Sequence, residues 1–328
     1  MVDTRNRDKM KLQGVIGCVK SFKKRFYRKS QSAMEYLMTY GWSILIIAVV
    51  LGALSFLGIF NPLTFAPKAS PGNCQVVKNT QLGVSNLVGS CNNQIPQYVA
   101  YFNGKGAYAN LGNNPSLSPE AGTNGAMTFC MWYRINSLSG YAGPVLKGAY
   151  PPSNGNYWEY TFDQGGSSEG FTVWTAGGAT LASAASDYYS FSYLLNQWIF
   201  ACFTYDYPAG LSYYYVGYPG YSAPISFNSP ISGGVASQGT GFLILGAGEG
   251  GYSNVSISNV QMYNASLSSS AVNSLYQEGI GGAPINLQNL VGWWPLDGNA
   301  NDYSGNNYYG ITTNVIFTNS WTHGYTQP

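Results

Sequence analysis

The sequence is poor in charge: 9% of its 328 residues are charged, and it has one histidine, His323. After Phe60 only five Lys or Arg remain, against ten Asp or Glu. A region with so few basic residues lacks the patch that neutralises phosphates, which excludes nucleic acid as a partner. His323 has no matching nucleophile motif, so the sequence offers no His-based catalytic pair.

One long stretch lacks charge altogether, because residues 36–60 contain no Asp, Glu, Lys or Arg. As a helix, this stretch would extend roughly 37 Å, more than the ~30 Å hydrocarbon core of a bilayer. A secretory signal peptide has a shorter apolar region followed by an A-x-A-like cleavage site, and neither is present. We therefore predict one transmembrane helix at 31–60.

The basic residues that are present crowd the amino terminus. Ten of the fifteen Lys and Arg lie in residues 1–30, where only Asp3 and Asp8 oppose them. Short Lys/Arg-rich flanks stay on the cytoplasmic side of a membrane. The pattern predicts a single-pass cell-membrane protein with a cytoplasmic leader at 1–30 and an extracellular carboxyl-terminal part.

The junction RKS-QSAMEYL resembles the class III signal peptides of archaeal type IV pilins. The resemblance implies that a prepilin-type peptidase cuts between Ser30 and Gln31, and that Glu35 becomes the fifth residue of the mature chain. A carboxylate at the mouth of an apolar helix is costly to bury without a cation. The new ammonium of Gln31, or that of a neighbouring subunit, would supply the cation. Alternatively, Glu35 reaches the headgroups or caps the first helical turn.

Beyond the helix, Asn61-Pro62 ends the helical pattern, and 61–97 is interpreted as a spacer. Short aromatic and β-branched runs between turn residues then indicate an all-β domain. Low charge and abundant Tyr are also typical of disordered tracts. The runs 127–135 and 198–205 carry too much apolar surface for disorder.

Four of the five cysteines would lie outside the cell, where disulfides persist, whereas Cys18 would stay reduced in the leader. We predict a bond between Cys74 and Cys91 in the spacer. Cys130 and Cys202 lie in two predicted neighbouring strands. They form either a cross-strand disulfide or two buried free thiols.

From Tyr98 onward, several stretches in a fixed order resemble the laminin-G-like, or concanavalin A-like, jelly-roll family. The stretches are YVAYFNGKGAYANLG, AMTFCMWYRI, NQWIFACFTYD, LSYYYVGYPG, GFLILGAG and SISNVQMYNASLSSSAVNSLYQEG. The overall prediction is a mainly β fold: the transmembrane helix, then an antiparallel two-sheet β-sandwich at 98–328. A short helix is predicted at 268–277 after a run of capping serines.

The segment LVGWWPLDGNANDYSGNNYYG, which in the family opens the domain, comes last here. We expect this permuted carboxyl-terminal strand to pair into the same sandwich, because about 40 residues cannot bury a core of their own.

The turn DGNANDYSGN is rich in oxygen ligands of the kind Ca²⁺ prefers. Laminin-G-like domains often hold Ca²⁺ at one rim, so the resemblance makes the turn a candidate Ca²⁺ site. Asx-turn chemistry alone also explains Asp and Asn in a loop. The candidate ligands are Asp297, Asn299, Asp302 and Asn306.

The resemblance implies binding of an extracellular glycan or protein. Tyr213–Tyr215, Tyr218 and Tyr221 either stack on sugars or fill the sandwich. Asn254 and Asn264 begin N-glycosylation sequons. Concanavalin-like folds also host glycosidases, which need two carboxylates about 5 to 9.5 Å apart. The E-x-D-x-E runs of such glycosidases differ from the spacing of Glu159 and Asp163. We therefore predict that this protein is not an enzyme.

The resulting hypothesis is a pilin-like adhesion protein whose helix assembles with copies of itself or with other pilins. An uncleaved, membrane-tethered lectin is the alternative, and an extracellular glycoside hydrolase is a third.

Amino-terminal sequencing of the mature protein tests the processing prediction. We expect the first residue to be Gln31, because the peptidase removes the leader. A mature chain that begins at Met1 would instead favour the uncleaved tether.

Overall fold

The computed structural model describes residues 38, 40–56, 68–69, 72–79, 81, 83–92, 94–137, 142–148, 158–162, 169–174, 180–186, 194–236, 241–248 and 250–328. The chain divides into two compact units, Met1–Phe65 and Ala66–Pro328. The predicted processing residues Ser30, Gln31 and Glu35 lie outside the described residues.

The first unit contributes one described helix, α1, at 40–56. Its large apolar side chains, such as Trp42 and Ile46, are exposed. No helix within the described residues combines the length and the apolar character that a membrane crossing requires. The transmembrane helix at 31–60 stays a prediction.

The second unit is built almost entirely of strands. The helical elements among its described residues are a 3₁₀ turn at Pro115–Leu117 and helix α2 at Ser269–Gln277. The strands are β1 (Lys68–Ala69), β2 (Cys74–Asn79), β3 (Val84–Gly89), β4 (Ile95–Pro96), β5 (Val99–Asn103), β6 (Tyr108–Asn110), β7 (Ala126–Ile135), β8 (Ala142–Gly148), β9 (Trp158–Phe162), β10 (Glu169–Trp174), β11 (Thr180–Ser186), β12 (Trp198–Asp206), β13 (Leu211–Gly217), β14 (Ile225–Pro230), β15 (Phe242–Leu245), β16 (Ala247–Gly248), β17 (Gly251–Tyr252), β18 (Asn254–Tyr263), β19 (Leu290–Trp294), β20 (Ile311–Thr313) and β21 (Ile316–Thr318).

Two large sheets form the sandwich. One has seven strands in the order β11-β10-β9-β8-β15-β6-β20, and the other has the order β14-β13-β12-β7-β18-β5-β21, with β19 also paired to β18. All of these pairings are antiparallel. The predicted mainly β, two-sheet sandwich is confirmed.

The core lies between the two sheets and follows the period of two expected for strands. In β7 the inward residues include Phe129 and Met131, and in β12 they include Ala201 and Phe203. Phe171 of β10 stacks on Phe203 with ring centroids 4.8 Å apart, so the two sheets meet through aromatic contacts. The apolar runs that argued against disorder therefore form the centre of the fold.

The outer face of the eight-stranded sheet is also covered. Helix α2 begins after Ser268, whose side chain accepts a hydrogen bond from the Ala271 amide, as the serine run predicted. Tyr276 of α2 stacks on Trp132 of β7 with ring centroids 5.8 Å apart. Strands β7 and β12 are consequently buried on both faces.

The carboxyl-terminal segment joins both sheets. Strand β19 pairs with β18, β20 pairs with β6 and β21 pairs with β5. The segment therefore adds an edge strand to each sheet and does not form a separate repeat.

Both outer cysteine pairs form disulfides in the structure. Cys74 is bonded to Cys91, as predicted, and ties the base of the β2–β3 hairpin together. Cys130 is bonded to Cys202, which decides between the two alternatives left open by the sequence. The two residues are direct partners across β7 and β12, with Cα atoms 4.0 Å apart.

Gly217 tests how α2 is held on the sheet. A Cβ atom at this position would overlap the ring of Tyr276. Because that ring is buried against Trp132, we expect Gly217→Ala to lower the free energy of unfolding by about 1–3 kcal/mol, the usual cost of overpacking. Urea denaturation gives the value.

Ser226→Ala, at an exposed position of β14, is the matched control and should change the free energy of unfolding by less than about 0.5 kcal/mol. If Gly217→Ala matched this control, α2 would not be packed against the sheet as described.

Candidate functional site

An open pocket lies within the second unit, beside the Cys74–Cys91 disulfide. Five parts of the chain build it: the base of the β2–β3 hairpin, β4 with the residue before it, the bulged centre of β18, the loop after α2, and β19 with the turn that follows. Its lining residues are Gly72, Cys74, Ser90, Cys91, Gln94, Pro96, Asn259, Ile280, Gly281, Trp293, Pro295, Asp297 and Tyr303.

A backbone and a side-chain hydrogen bond attach the hairpin to the carboxyl-terminal segment. The Val76 amide donates to the Tyr303 carbonyl at 2.8 Å. Lys78 Nζ donates to the Leu290 carbonyl at 2.7 Å. These contacts hold one wall of the pocket against the other, and the disulfide fixes the hairpin's base.

Trp293 and Tyr303 form the aromatic wall. Their rings meet edge to face with centroids 6.3 Å apart. The indole Nε1 of Trp293 donates to Asn259 Oδ1 at 2.9 Å, which orients the ring. Asn259 itself has a left-handed backbone, φ 51°, where the register between β18 and β7 shifts. This bulge brings the amide of Asn259 to the pocket.

Asp297 is the carboxylate of the pocket, and only 6% of its surface is exposed. Its Oδ1 accepts a hydrogen bond from the Tyr98 amide at 2.6 Å, whereas its Oδ2 has no partner. Burial raises the pKa of Asp297, and the backbone amides of Tyr98 and Gln97 partly oppose this shift. Gln94 Oε1 is likewise buried without a hydrogen-bond partner.

The four residues of the candidate Ca²⁺ site make different hydrogen bonds. Asp302 accepts hydrogen bonds at both oxygens: Oδ1 from the amides of Trp293 and Ser304, and Oδ2 from Ser304 Oγ and the Tyr308 amide. These distances are 2.8–3.0 Å, so neither oxygen of Asp302 is left for a metal.

Asn299 Oδ1 accepts a hydrogen bond from the Asn301 amide, and Asn306 Oδ1 accepts one from Lys78 Nζ. In the part of the chain that the structure describes, no group of three His, Cys, Asp or Glu side chains could hold a metal ion. The donor set does not fit a Ca²⁺ shell, and Ca²⁺ binding stays a prediction that these contacts do not favour.

Glu159 lies on β9 and is buried, opposite Leu146 of β8 and Thr172 of β10. Its proposed partner, Asp163, lies outside the described residues. The separation of the two carboxylates is therefore not defined, and the absence of enzyme activity stays a prediction.

Most of the candidate tyrosines fill the protein. Tyr214 and Tyr218 belong to the core, and Tyr218 Oη donates to Glu169 Oε1 at 2.9 Å. Tyr215 is buried, whereas Tyr221 is exposed. The space-filling alternative is thus correct for Tyr214, Tyr215 and Tyr218.

The two glycosylation sequons differ in exposure. Asn264 is exposed, while Asn254 is half-buried and its Nδ2 donates to Ser137 Oγ at 2.8 Å. Glycosylation at both stays a prediction.

Sequence reasoning missed a further buried acid, Glu120, in the loop before β7. Neither carboxylate oxygen has a hydrogen-bond partner on another residue, and burial raises the pKa of Glu120 to about 8, which its own backbone amide and the charge of Lys147 partly oppose. Lys147 Nζ donates to the Gly241 carbonyl at 2.5 Å, and burial lowers its pKa to about 8. No motif marks these residues, because their proximity depends on the folded sandwich.

The fold and the pocket define a jelly-roll domain with an aromatic, acid-containing cleft. The family model described as the concanavalin A-like lectin/glucanases superfamily, of laminin-G type, matches residues 103–273, just over half of the chain. The chain belongs to this superfamily. Of the residues lining the pocket, only Asn259 lies in the matched range, so the pocket is built by elements that flank the family's common part.

Among solved structures, a candidate carbohydrate binding protein from Bacteroides ovatus is 12% identical, with TM-score 0.42, and the alignment covers 71% of this chain and 67% of that one. The binding domain of botulinum neurotoxin serotype D is 14% identical, with TM-score 0.39 and coverages of 63% and 46%. Trypanosoma rangeli sialidase is 16% identical, with TM-score 0.40 and coverages of 66% and 33%.

The chain thus spans less than half of the toxin domain and a third of the sialidase. At these values the similarities carry no argument about ligand or activity. No curated protein matches the sequence.

Glu120 gives a prediction about pH. Its pKa in the folded protein, about 8, lies above its ordinary value of 4.5, so the wild type loses stability as pH rises between these values. We expect Glu120→Gln, which cannot ionise, to gain stability relative to wild type over the same interval. Thermal denaturation at a series of pH values measures the difference.

Glu278→Gln is the control, because Glu278 is exposed at the end of α2. The free energy of unfolding of Glu278→Gln should stay within about 0.5 kcal/mol of that of the wild type, because substitutions of exposed residues usually change stability little. If the difference in stability between Glu120→Gln and the wild type did not change with pH, that result would contradict the burial of the Glu120 carboxyl.

Proposed function

We propose that this protein is an extracellular binding protein whose jelly-roll domain binds carbohydrate in the pocket beside the Cys74–Cys91 disulfide. One observation carries the proposal: the edge-to-face pair of Trp293 and Tyr303 lines the same cleft as the buried carboxylate of Asp297. Membership of a superfamily that includes lectins supports it.

The chemistry of the cleft suits a sugar. Aromatic rings contact the C–H face of a pyranose, and carboxylate and amide oxygens accept hydrogen bonds from its hydroxyl groups. An extracellular protein ligand is the rival, but the concave shape favours a small group over a flat protein surface.

Binding is favoured over hydrolysis at this pocket. Glycosidases commonly act with a pair of carboxyl groups flanking the scissile bond. Asp297 is the one acidic residue among the described lining residues, and the oxygens of Asp302 are engaged inside the turn. Among the described lining residues the pocket thus offers one carboxyl group, which suits binding better than hydrolysis by a carboxylate pair.

For the amino-terminal part we propose pilin-like assembly at the cell membrane. The junction at Ser30 and Gln31, with Glu35 after it, supports cleavage by a prepilin-type peptidase and packing of the helix with copies of itself or other pilins. An uncleaved tether is the alternative. Two disulfides in the second unit suit an extracellular position, since such bonds persist outside the reducing cytosol.

A glycan array probed with the full-length protein in mild detergent tests carbohydrate binding. We expect a defined set of glycans to bind. We expect Tyr303→Leu to weaken that binding by roughly tenfold or more, because the contact between an aromatic ring and a sugar ring contributes strongly to affinity. Fluorescence titration with the best glycan gives the affinities.

Tyr309→Leu is the matched control, because Tyr309 lies on the same turn but is 56% exposed and does not line the pocket. Its affinity should equal that of wild type. Equal losses in both variants, or an array without binding, would overturn the proposal.

A further inference from the structure

The hydrogen-bond donors of the aromatic wall are already used. Trp293 donates through its indole Nε1 to Asn259 Oδ1, and through its backbone amide to Asp302 Oδ1. Asn259 Nδ2 donates to the Gly282 carbonyl at 2.8 Å. Trp293 therefore offers a ligand its aromatic ring more than its N–H groups, and one N–H of Asn259 is likewise engaged.

In contrast, two hydrogen-bond acceptors of the pocket have no partner. Asp297 is more than nine-tenths buried, and its Oδ2 has no hydrogen-bond partner. Gln94 is half-buried, and its Oε1 atom is also buried without a partner. A buried carboxylate oxygen without a partner costs free energy that a donor on a ligand would recover. The strongest such donor is a cation, because charge-assisted hydrogen bonds are roughly twice as strong as neutral ones.

The pocket itself supplies no positive charge. Among its described lining residues none is Lys or Arg. Lys78 is the basic residue of the adjoining hairpin, and its Nζ is bonded to the Leu290 carbonyl and to Asn306 Oδ1. The charge of Asp297 is thus not balanced by a cation within the lining.

The aromatic wall favours the same kind of ligand. The face of a Trp or Tyr ring attracts an ammonium group through its quadrupole, and Trp does so most strongly. Trp293 and Tyr303 both line the cleft that contains Asp297. A ligand ammonium would therefore find a carboxylate and two aromatic rings in one cavity.

We propose that the pocket recognises a protonated primary amine on a sugar, that is, an amino sugar whose amino group is not acetylated. The inference rests on the proposed function, since it assigns the ligand class of the same pocket. Asp297 accepts the hydrogen bond from the ammonium group, and Trp293 and Tyr303 contact the sugar ring. An N-acetylated sugar presents a neutral amide there and loses the charge-assisted bond.

Three tetrasaccharides with the same β-1,4 backbone isolate the amino group: chitosan tetraose, its fully acetylated counterpart and cellotetraose. Calorimetry is done at mildly acidic pH with the full-length protein in mild detergent. We expect chitosan tetraose to bind roughly tenfold or more tightly than the other two, as one charge-assisted hydrogen bond implies.

Asp297→Asn keeps the side-chain shape and an oxygen for the Tyr98 amide, and it should reduce this preference to about the level of the neutral sugars. Asp206→Asn is the matched control. Asp206 also accepts a backbone hydrogen bond, from the Ala209 amide, but it does not line the pocket, so the preference should be unchanged.

The ranking of the three sugars by the wild type needs no variant, so it decides the inference even where Asp297→Asn does not fold. Equal affinities for all three would overturn the amine inference and leave carbohydrate binding standing. No binding of any glycan would overturn the proposed function itself.

Two further titrations identify other sources of positive charge. Binding of Nα-acetyl-lysine amide without binding of chitosan tetraose would overturn the sugar as the source of the amine. Binding of Ca²⁺ that is lost in Asp297→Asn, without binding of either amine, would overturn amine recognition and restore a metal to this rim.

Discussion

The carboxylate of Asp302 organises the carboxyl-terminal turn, and much of the molecule depends on that turn. Four donors converge on its two oxygens, from Trp293, from the amide and hydroxyl of Ser304, and from Tyr308. These hydrogen bonds fix the turn that connects β19 to β20 and β21. Strands β20 and β21 are edge strands of the two sheets. It also presents Tyr303 and Asp297 to the pocket. An oxygen-rich sequence that resembles a metal loop thus serves as an internal hydrogen-bonding centre.

A second constraint is that the eight-stranded sheet is covered on both faces. The core lies on one side, and α2 with the aromatic residues of the carboxyl terminus lies on the other, where Trp132 contacts both Tyr276 and Tyr325. A strand buried on both faces loses the alternation of polar and apolar residues. This is why 127–135 is almost continuously apolar, and why the sheet tolerates a disulfide on its outer face at Cys130 and Cys202.

The pocket shows how a common scaffold acquires a particular site. The superfamily match ends before β19 and begins after the β2–β3 hairpin, yet these flanking elements supply nearly all of the pocket. Function commonly resides in sites grafted onto a fold and cannot be deduced from the fold alone. The proposed ligand class therefore rests on the contacts of Asp297, Trp293 and Tyr303.

Local sequence patterns were enough to determine the β class, the position of α2 after Ser268, and the bond between Cys74 and Cys91. Each of these depends on residues that are close together in the chain. Only the tertiary structure decided the bond between Cys130 and Cys202, since it requires the exact register of two strands. The same holds for the pocket, which gathers residues from 72 to 303, and for the oxygens of the turn, whose role depends on which donors the fold brings to them. Propensity and spacing act over a few residues, whereas register and desolvation exist only once the sheets have closed.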